Sequence, residues 1–302
     1  MNIDDLTTEA VDPLYDKIDT LAVAELAELM NAGDRTVPVA VHDALGQIVP
    51  AIEAVSERMQ QGGRLFYFGA GTPGRIGVLD ASEIPPTFST HGRVIAVIAG
   101  GPTAIVDAVE GAEDDAEQGA AAVDEAGIGP LDSVVGIAAS GRTPFVIGAV
   151  RRARERGALG IGLSCNTATP LSAAAEFGIE VNVGPEFVSG STRLKAGTAQ
   201  KLVLNMFSTI AMVRLGKTYG NLMVDVQASN AKLRERASRM VVQLAEVSQD
   251  EARAALESAD WAVSVAVISL RLGIRSSEAK AVLDASGGRL RDALDTTTGA
   301  RR

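Results

Sequence analysis

The sequence predicts an α/β three-layer sandwich with a central parallel sheet, followed by a small C-terminal helical domain. Between residue 64 and about residue 184, short aliphatic runs alternate with helical segments, the order that builds a parallel sheet covered by helices. From about residue 228 the aliphatic runs give way to charged amphipathic stretches. A chain of 302 residues with 46% hydrophobic side chains can fill more than one core. The formal charge of −10 argues against nucleic acid or an anionic membrane as the main partner, so an anionic ligand must be held by local groups. The single Cys165 rules out an internal disulfide framework, and His42 and His91 lack metal-ligand spacing. No metal or cofactor is expected. The single cysteine fits a reducing cytosol; the N-terminus lacks an apolar signal core, and no apolar run approaches the roughly 20 residues that span a bilayer.

Taken in order, residues 1–17 lack periodicity and contain Pro13, as expected of an arm lying over another surface. Residues 18–31 and 37–61 place apolar side chains at helical spacing around the turn Gly33-Asp34-Arg35-Thr36, with Thr36 suited to cap the second helix ahead of Pro38. Buried strands are predicted at 64–68, 94–99, 133–138, 160–164 and 179–183, with helices between them. A long apolar-faced helix covers 193–215. Helices then follow at 228–248, 249–258, 261–272 and 277–285, and Gly287-Gly288 precedes a last turn at 289–294. The predicted division is 1–238 for the ligand-binding α/β domain with its arm, and 239–302 for the helical domain.

Three strand-to-helix junctions carry the candidate chemistry. The first, Phe68-Gly-Ala-Gly-Thr-Pro-Gly74, follows an aromatic strand and can aim backbone N–H groups at an anion, with Gly71 and Thr72 as ligands. The second, Ser140-Gly141-Arg142-Thr143-Pro144, repeats the arrangement with two hydroxyls and one cation. The third, Ser189 to Thr198, opens the long helix and offers Ser191, Thr192 and Lys195; here a plain N-cap by Ser191 or Thr192 is the alternative. Three such junctions in one α/β domain point to a phosphorylated sugar-like ligand.

Longer blocks narrow this further. They include Asp34-Arg-Thr-Val-Pro38, Gly69-Ala-Gly-Thr72, Leu79-Asp-Ala-Ser-Glu83, Val109-Glu-Gly-Ala-Glu-Asp114, Gly136 through Pro144, Lys195 through Met206 and Gly220 through Asp225. With these blocks the chain resembles the N-acetylmuramic acid 6-phosphate etherases of the sugar-isomerase (SIS) superfamily over nearly its whole length. The resemblance implies a homodimer, and cleavage of a lactyl ether to give N-acetylglucosamine 6-phosphate and D-lactate in cytoplasmic cell-wall recycling. Two positions depart from the family pattern: Pro73 stands where a Ser is usual, and Val11-Asp12 where an Arg-Asn pair is usual.

The implied chemistry needs two proton-handling groups. In the open-chain sugar the C2 hydrogen lies alpha to an aldehyde, so a base can remove it while lactate leaves from C3, with an acid protonating the leaving oxygen. On the family pattern Glu83 is that acid and Glu113 the second catalytic carboxylate, the candidate base. Local sequence suggests a reason. Pro85-Pro86 should end a helix at Glu83, whose negative end favours a protonated carboxyl; Gly111 should end the 102–110 helix and put Glu113 in the first turn of the next. Glu113 beside Asp114 and Asp115 could equally serve that helix dipole, and Glu110 is a second candidate for the base. A sugar-phosphate isomerase or a non-catalytic sugar-phosphate sensor on the same fold are the other function classes left open.

Overall fold

The computed structural model describes residues 6–226, 228 and 230–299, so the first five residues of the expected arm lie outside the described part. The chain clusters into two compact units, one of Met1–Ser82 with Gly92–Ala211 and the other of Glu83–His91 with Met212–Arg302.

In the first unit the arm makes two one-turn 3-10 pieces, Pro13–Tyr15 and Ile18–Thr20, before α1 (Val23–Asp34), α2 (Val37–Asp43) and α3 (Leu45–Gln60). The two helices expected before the sheet are thus three. Thr36 does not cap the second: its backbone is already helical, and its hydroxyl donates to the Gly33 carbonyl at 2.8 Å, closing the preceding turn. The sheet and its covering helices follow as β1 (Leu65–Gly69), α4 (Gly71–Phe88), β2 (Val94–Ile98), α5 (Thr103–Val106), α6 (Ala116–Glu125), β3 (Ser133–Ile137), α7 (Pro144–Glu155), β4 (Leu159–Ser164), α8 (Pro170–Ala174), β5 (Phe177–Glu180) and α9 (Lys195–Arg214). All neighbouring strands are parallel, in the order β2-β1-β3-β4-β5. β1, β3 and β4 are buried at every position, as expected of strands covered on both faces. The last strand lies at 177–180, ahead of the expected 179–183, because it pairs Phe177 with Ile161 and Glu180 with Ser164.

One packing contact matters for the site. α6 and α7 touch backbone to backbone: a Cβ on Gly119 would sit 1.9 Å from the Phe145 carbonyl oxygen, and one on Gly148 would sit 2.1 Å from that of Ala116. Only glycine permits that approach. The arm is bolted to the strand ends by polar contacts. Thr7 Oγ1 lies 3.0 Å from Asn166 Oδ1 and 3.0 Å from Asn182 Oδ1, and the Asn166 amide donates to Thr8 Oγ1 and to the Ala139 carbonyl.

The second unit has its own core, built on Val224, Ala237, Met240, Val241, Leu256, Ala266, Ile268 and Leu290. Its helices are α10 (Ala231–Ala245), α11 (Gln249–Ser258), α12 (Val263–Leu272), α13 (Ser276–Ala285) and α14 (Leu290–Gly299). Segment 219–226 and the apolar face of α10 from Leu233 to Ala245 contribute to this core, which is why the division falls before the expected residue 239. α11 has a Ser248–Glu251 capping box, and α12 ends on left-handed Gly273. α12 starts two residues later than expected because Asp260 and Trp261 are both left-handed, with φ of 48° and 62°. Among the described residues no helix is long and apolar enough to cross a membrane.

Candidate active site

The strand order reverses between β1 and β3, and the loops leaving the carboxyl ends of these two strands are where an open parallel sheet binds ligands. These are the Gly69–Gly74 and Ser140–Thr143 loops.

The glycines of the first loop have different duties. A Cβ on Gly69 would lie 2.6 Å from the Gly74 nitrogen, and one on Gly74 would lie 2.6 Å from Ile98 Cγ1, so both serve close packing of strand against helix. Gly71 is exposed, has open space around it and holds φ at +55°, a conformation costly to any residue with a Cβ. Pro73 fits without distortion because its missing N–H belongs to the first helical turn, where amides lack intrahelical partners. Beside the loop, Thr72 Cγ2 lies 3.6 Å from where a Gly197 Cβ would be, so the start of α9 abuts this first cradle.

In the second loop Ser140 Oγ accepts the Arg142 amide at 3.2 Å. Gly141 is buried against Thr169, where a Cβ would come within 2.4 Å, so its role is in packing. Arg142 is exposed. Thr143 occupies the cap position of α7 and makes no capping bond to its own helix. At the third junction the alternative of a plain N-cap is not realised. Neither Ser191 nor Thr192 caps α9: buried Glu186 does so, accepting the Lys195 and Ala196 amides at 2.9 Å each. That helix start already holds an anion. Ser189 donates to the Glu9 carbonyl at 2.9 Å, and the Lys195 ammonium is buried, donating to the Val183 carbonyl at 2.9 Å.

The two carboxylates also sit differently from the local expectation. α4 does not stop at Glu83 but runs through Pro85 and Pro86 to Phe88. Ile84 and Phe88, one turn apart and nearly inaccessible, hold this stretch, and the Thr87 hydroxyl donates to the Glu83 carbonyl at 2.7 Å. Burial of that apolar pair, about 1.5–3 kcal/mol for each side chain, offsets much of the local penalty of two prolines, of order 3 kcal/mol each in a helix interior. Glu83 is exposed and belongs to the second unit. The prolines leave the Ala81 and Ser82 carbonyls with no N–H four residues on, so the break in the ladder survives although the helix end does not.

The 102–110 helix is likewise only Thr103–Val106, and Glu113 lies in a turn before α6. Asp115 is the true cap of α6, accepting the Gln118 amide at 2.9 Å. The dipole-complementing duty therefore falls to Asp115, and Glu113 is spared it. Its carbonyl accepts the Phe145 amide at 3.0 Å, tying its turn to the start of α7 behind Ser140 and Thr143. A pocket of about 230 Å³ brings Gly71 and Glu113 together, with Arg75, Asp107 and Glu110 also on its wall. Glu110 thus stays beside Glu113 in space as in sequence.

Two side chains of α4 escaped the sequence reading. Arg75, in the first turns of α4, donates to the carbonyls of Ala104, Ile105 and Asp107. Asp80, buried between α4 and α9, accepts from Tyr67, Asn205 and Ser208 at 2.9, 2.6 and 3.1 Å. Burial raises the Asp80 carboxyl above its usual range, only partly offset by these donors, and burial raises the Tyr67 phenol too. Both Asp80 and Asn205 lie in blocks noted above, but nothing local in either block reveals that they meet.

Known family patterns agree with this architecture. The pattern described as "SIS domain" matches residues 108–210, and the "Glucokinase regulatory protein N-terminal SIS domain" matches residues 47–154. A phosphoheptose isomerase from Francisella tularensis superposes with a TM-score of 0.47 at 15% identity, over 63% of this chain and 98% of that one. Three relatives are each named N-acetylmuramic acid 6-phosphate etherase. That of Streptomyces avermitilis is 55% identical over 97% of this chain and 94% of its own length. That of Rubrobacter xylanophilus is 54% identical over 96% of both chains, and that of Mycolicibacterium smegmatis is 48% identical over 97% of this chain and 99% of its own. With half of all positions shared from end to end, on a parallel sheet whose β1 and β3 loops form the candidate site, the chain belongs to the N-acetylmuramic acid 6-phosphate etherase family.

Proposed function

We propose that the protein cleaves the D-lactyl ether of N-acetylmuramic acid 6-phosphate, giving N-acetylglucosamine 6-phosphate and D-lactate, as a cytoplasmic homodimer in cell-wall amino sugar recycling. The observation that carries the reading is the pocket shared by Gly71 of the first anion cradle and the exposed Glu113. The 6-phosphate would be held by the Gly71–Thr72 turn and by Ser140 and Thr143, with Arg142 as a local cation in an acidic protein. Ser191 and Thr192 are secondary candidates, and the buried Lys195 supports the loop at Val183.

The reaction is an elimination followed by an addition. Glu113 takes the C2 proton of the open-chain aldehyde, the C3–O bond to lactate breaks, and the departing oxygen takes a proton from Glu83. Water, deprotonated by Glu83, then adds to C3 of the unsaturated aldehyde, and the protonated Glu113 returns a proton to C2. Each carboxylate ends in its starting state.

Isotopes test this route. In deuterated water the product should carry solvent deuterium at C2, and in ¹⁸O-water the label should enter the C3 hydroxyl of the sugar. Label recovered in the lactate alcohol, with none at C2, would overturn the mechanism, and failure to release D-lactate would overturn the assignment itself.

A further inference from the structure

We propose that Arg75 is a positioning residue that holds the Glu113 loop in register with the phosphate cradle. The inference rests on the reading of Glu113 as the C2 base. Arg75 lies four residues after Gly71 on α4, and its guanidinium spans three carbonyls of a different segment. Nε donates to Ala104 at 3.1 Å and Ile105 at 3.0 Å, and Nη2 donates to Asp107 at 3.3 Å. These acceptors belong to α5 and to the extended residue that ends it. Carbonyls at the end of a one-turn helix have no intrahelical partner, and a cation suits them.

The segment beyond has little else to hold it. From Ile105 to Asp114 no residue is buried, only Ala112 is even half-buried, and Val106 is 83% exposed. A loop with so little buried apolar surface is not fixed by packing. Polar ties bracket it instead: Arg75 at one end and the Phe145 amide on the Glu113 carbonyl at the other. Midway, Val109 closes on Gly100, where a Cβ would come within 2.8 Å of the Val109 Cβ. Because Arg75 and Gly71 share the same helix start, the fork fixes the loop relative to the cradle that would receive the phosphate. Lysine cannot reproduce this, since a single ammonium does not span three carbonyls.

The test compares Arg75→Lys and Arg75→Gln with the parent in the full-length protein. Hydrogen exchange at the Ile105, Asp107 and Asp114 amides, which hold backbone bonds, should quicken about tenfold or more in both variants while the sheet amides are unchanged. kcat for lactate release should fall roughly 10- to 100-fold, the cost of a misplaced proton acceptor. KM and inhibition by inorganic phosphate should stay within about threefold, as expected when only the chemical step is affected. C2 exchange in deuterated water should slow in step with kcat. Unchanged loop exchange would overturn the clamp. A raised KM and weakened phosphate inhibition with kcat preserved would instead make Arg75 a phosphate ligand and overturn the positioning role. If the parent protein releases no lactate, the proposed reaction fails by itself, and loop exchange still decides whether Arg75 holds the segment.

Discussion

The starts of α7 and α9 are alike in sequence and opposite in use. Both are rich in hydroxyls, and both recruit a glutamate from a separate loop. At α9 the recruit is the side chain of Glu186, whose two oxygens take the Lys195 and Ala196 amides in a buried setting. At α7 the recruit is the main chain of Glu113, whose carbonyl takes the Phe145 amide and leaves the carboxylate exposed on the pocket wall. The same kind of helix end is thus filled by a side chain in one place and by a main-chain carbonyl in the other. Which of a glutamate's oxygens the helix consumes decides whether its carboxylate is spent on the scaffold or stays exposed.

The largest expected effect is at Glu113. Glu113→Gln should reduce lactate release roughly 10²–10⁴-fold, the range for a general base. Its stability in urea should stay within about 0.5 kcal/mol of the parent, as for an exposed side chain with no buried bond. Glu110→Gln, on the same pocket wall, should cost far less in rate. Equal losses in the two variants would mean that the pocket needs its charge and not one particular base.

Glu186 should behave in reverse. Glu186→Gln leaves one oxygen to serve two amides, and a lost bond from a buried donor to a charged acceptor is worth about 1.5–3 kcal/mol. Urea unfolding should show that loss, with KM for the sugar phosphate nearly unchanged. A KM increase without loss of stability would break the comparison by making the α9 start a ligand site.

The hydroxyls sharpen the same contrast. Replacing Ser140 and Thr143 together with Ala should raise KM for the 6-phosphate substrate roughly 10- to 100-fold, from two charge-assisted bonds of about 1.5 kcal/mol or less each. The matching Ser191 and Thr192 pair, beside an occupied helix start, should shift KM by no more than about threefold on the same reasoning. Titration of both variants with inorganic phosphate checks whether the lost binding is to phosphate.

The smallest effect concerns Glu180, which holds the turn that leads into α8. Burial alone would raise its carboxyl, but hydrogen bonding with Ser172 and the amides of Thr169 and Ala168 outweighs burial and holds it below the usual range. A depressed folded-state value means the carboxylate contributes stability above its unfolded value near 4.5, and the contribution is lost as pH falls through the lower folded value. Glu180→Gln should therefore flatten the acid limb of the stability profile below about pH 4.5 and leave neutral-pH activity alone. An unchanged acid limb would show that its carboxylate is not what holds the α8 start.

The sequence by itself determined the parallel α/β sandwich, the helical tail, the loops that flank the site and the family. Continuous apolar runs mark strands buried on both faces, and α11 falls at 249–258 as read because its Ser248–Glu251 box is a local signal. The tertiary structure alone decided what those loops do. Ile84 and Phe88 carry α4 past two prolines, so Glu83 is not at a helix end. Asp115 caps the helix whose first turn was to hold Glu113, Glu186 takes the amides for which Ser191 or Thr192 was the alternative cap, and Arg75 reaches carbonyls some 30 residues away. Propensity and periodicity act between near neighbours along the chain, whereas a buried donor takes whichever acceptor the fold brings within about 3 Å, and burial then makes that choice binding.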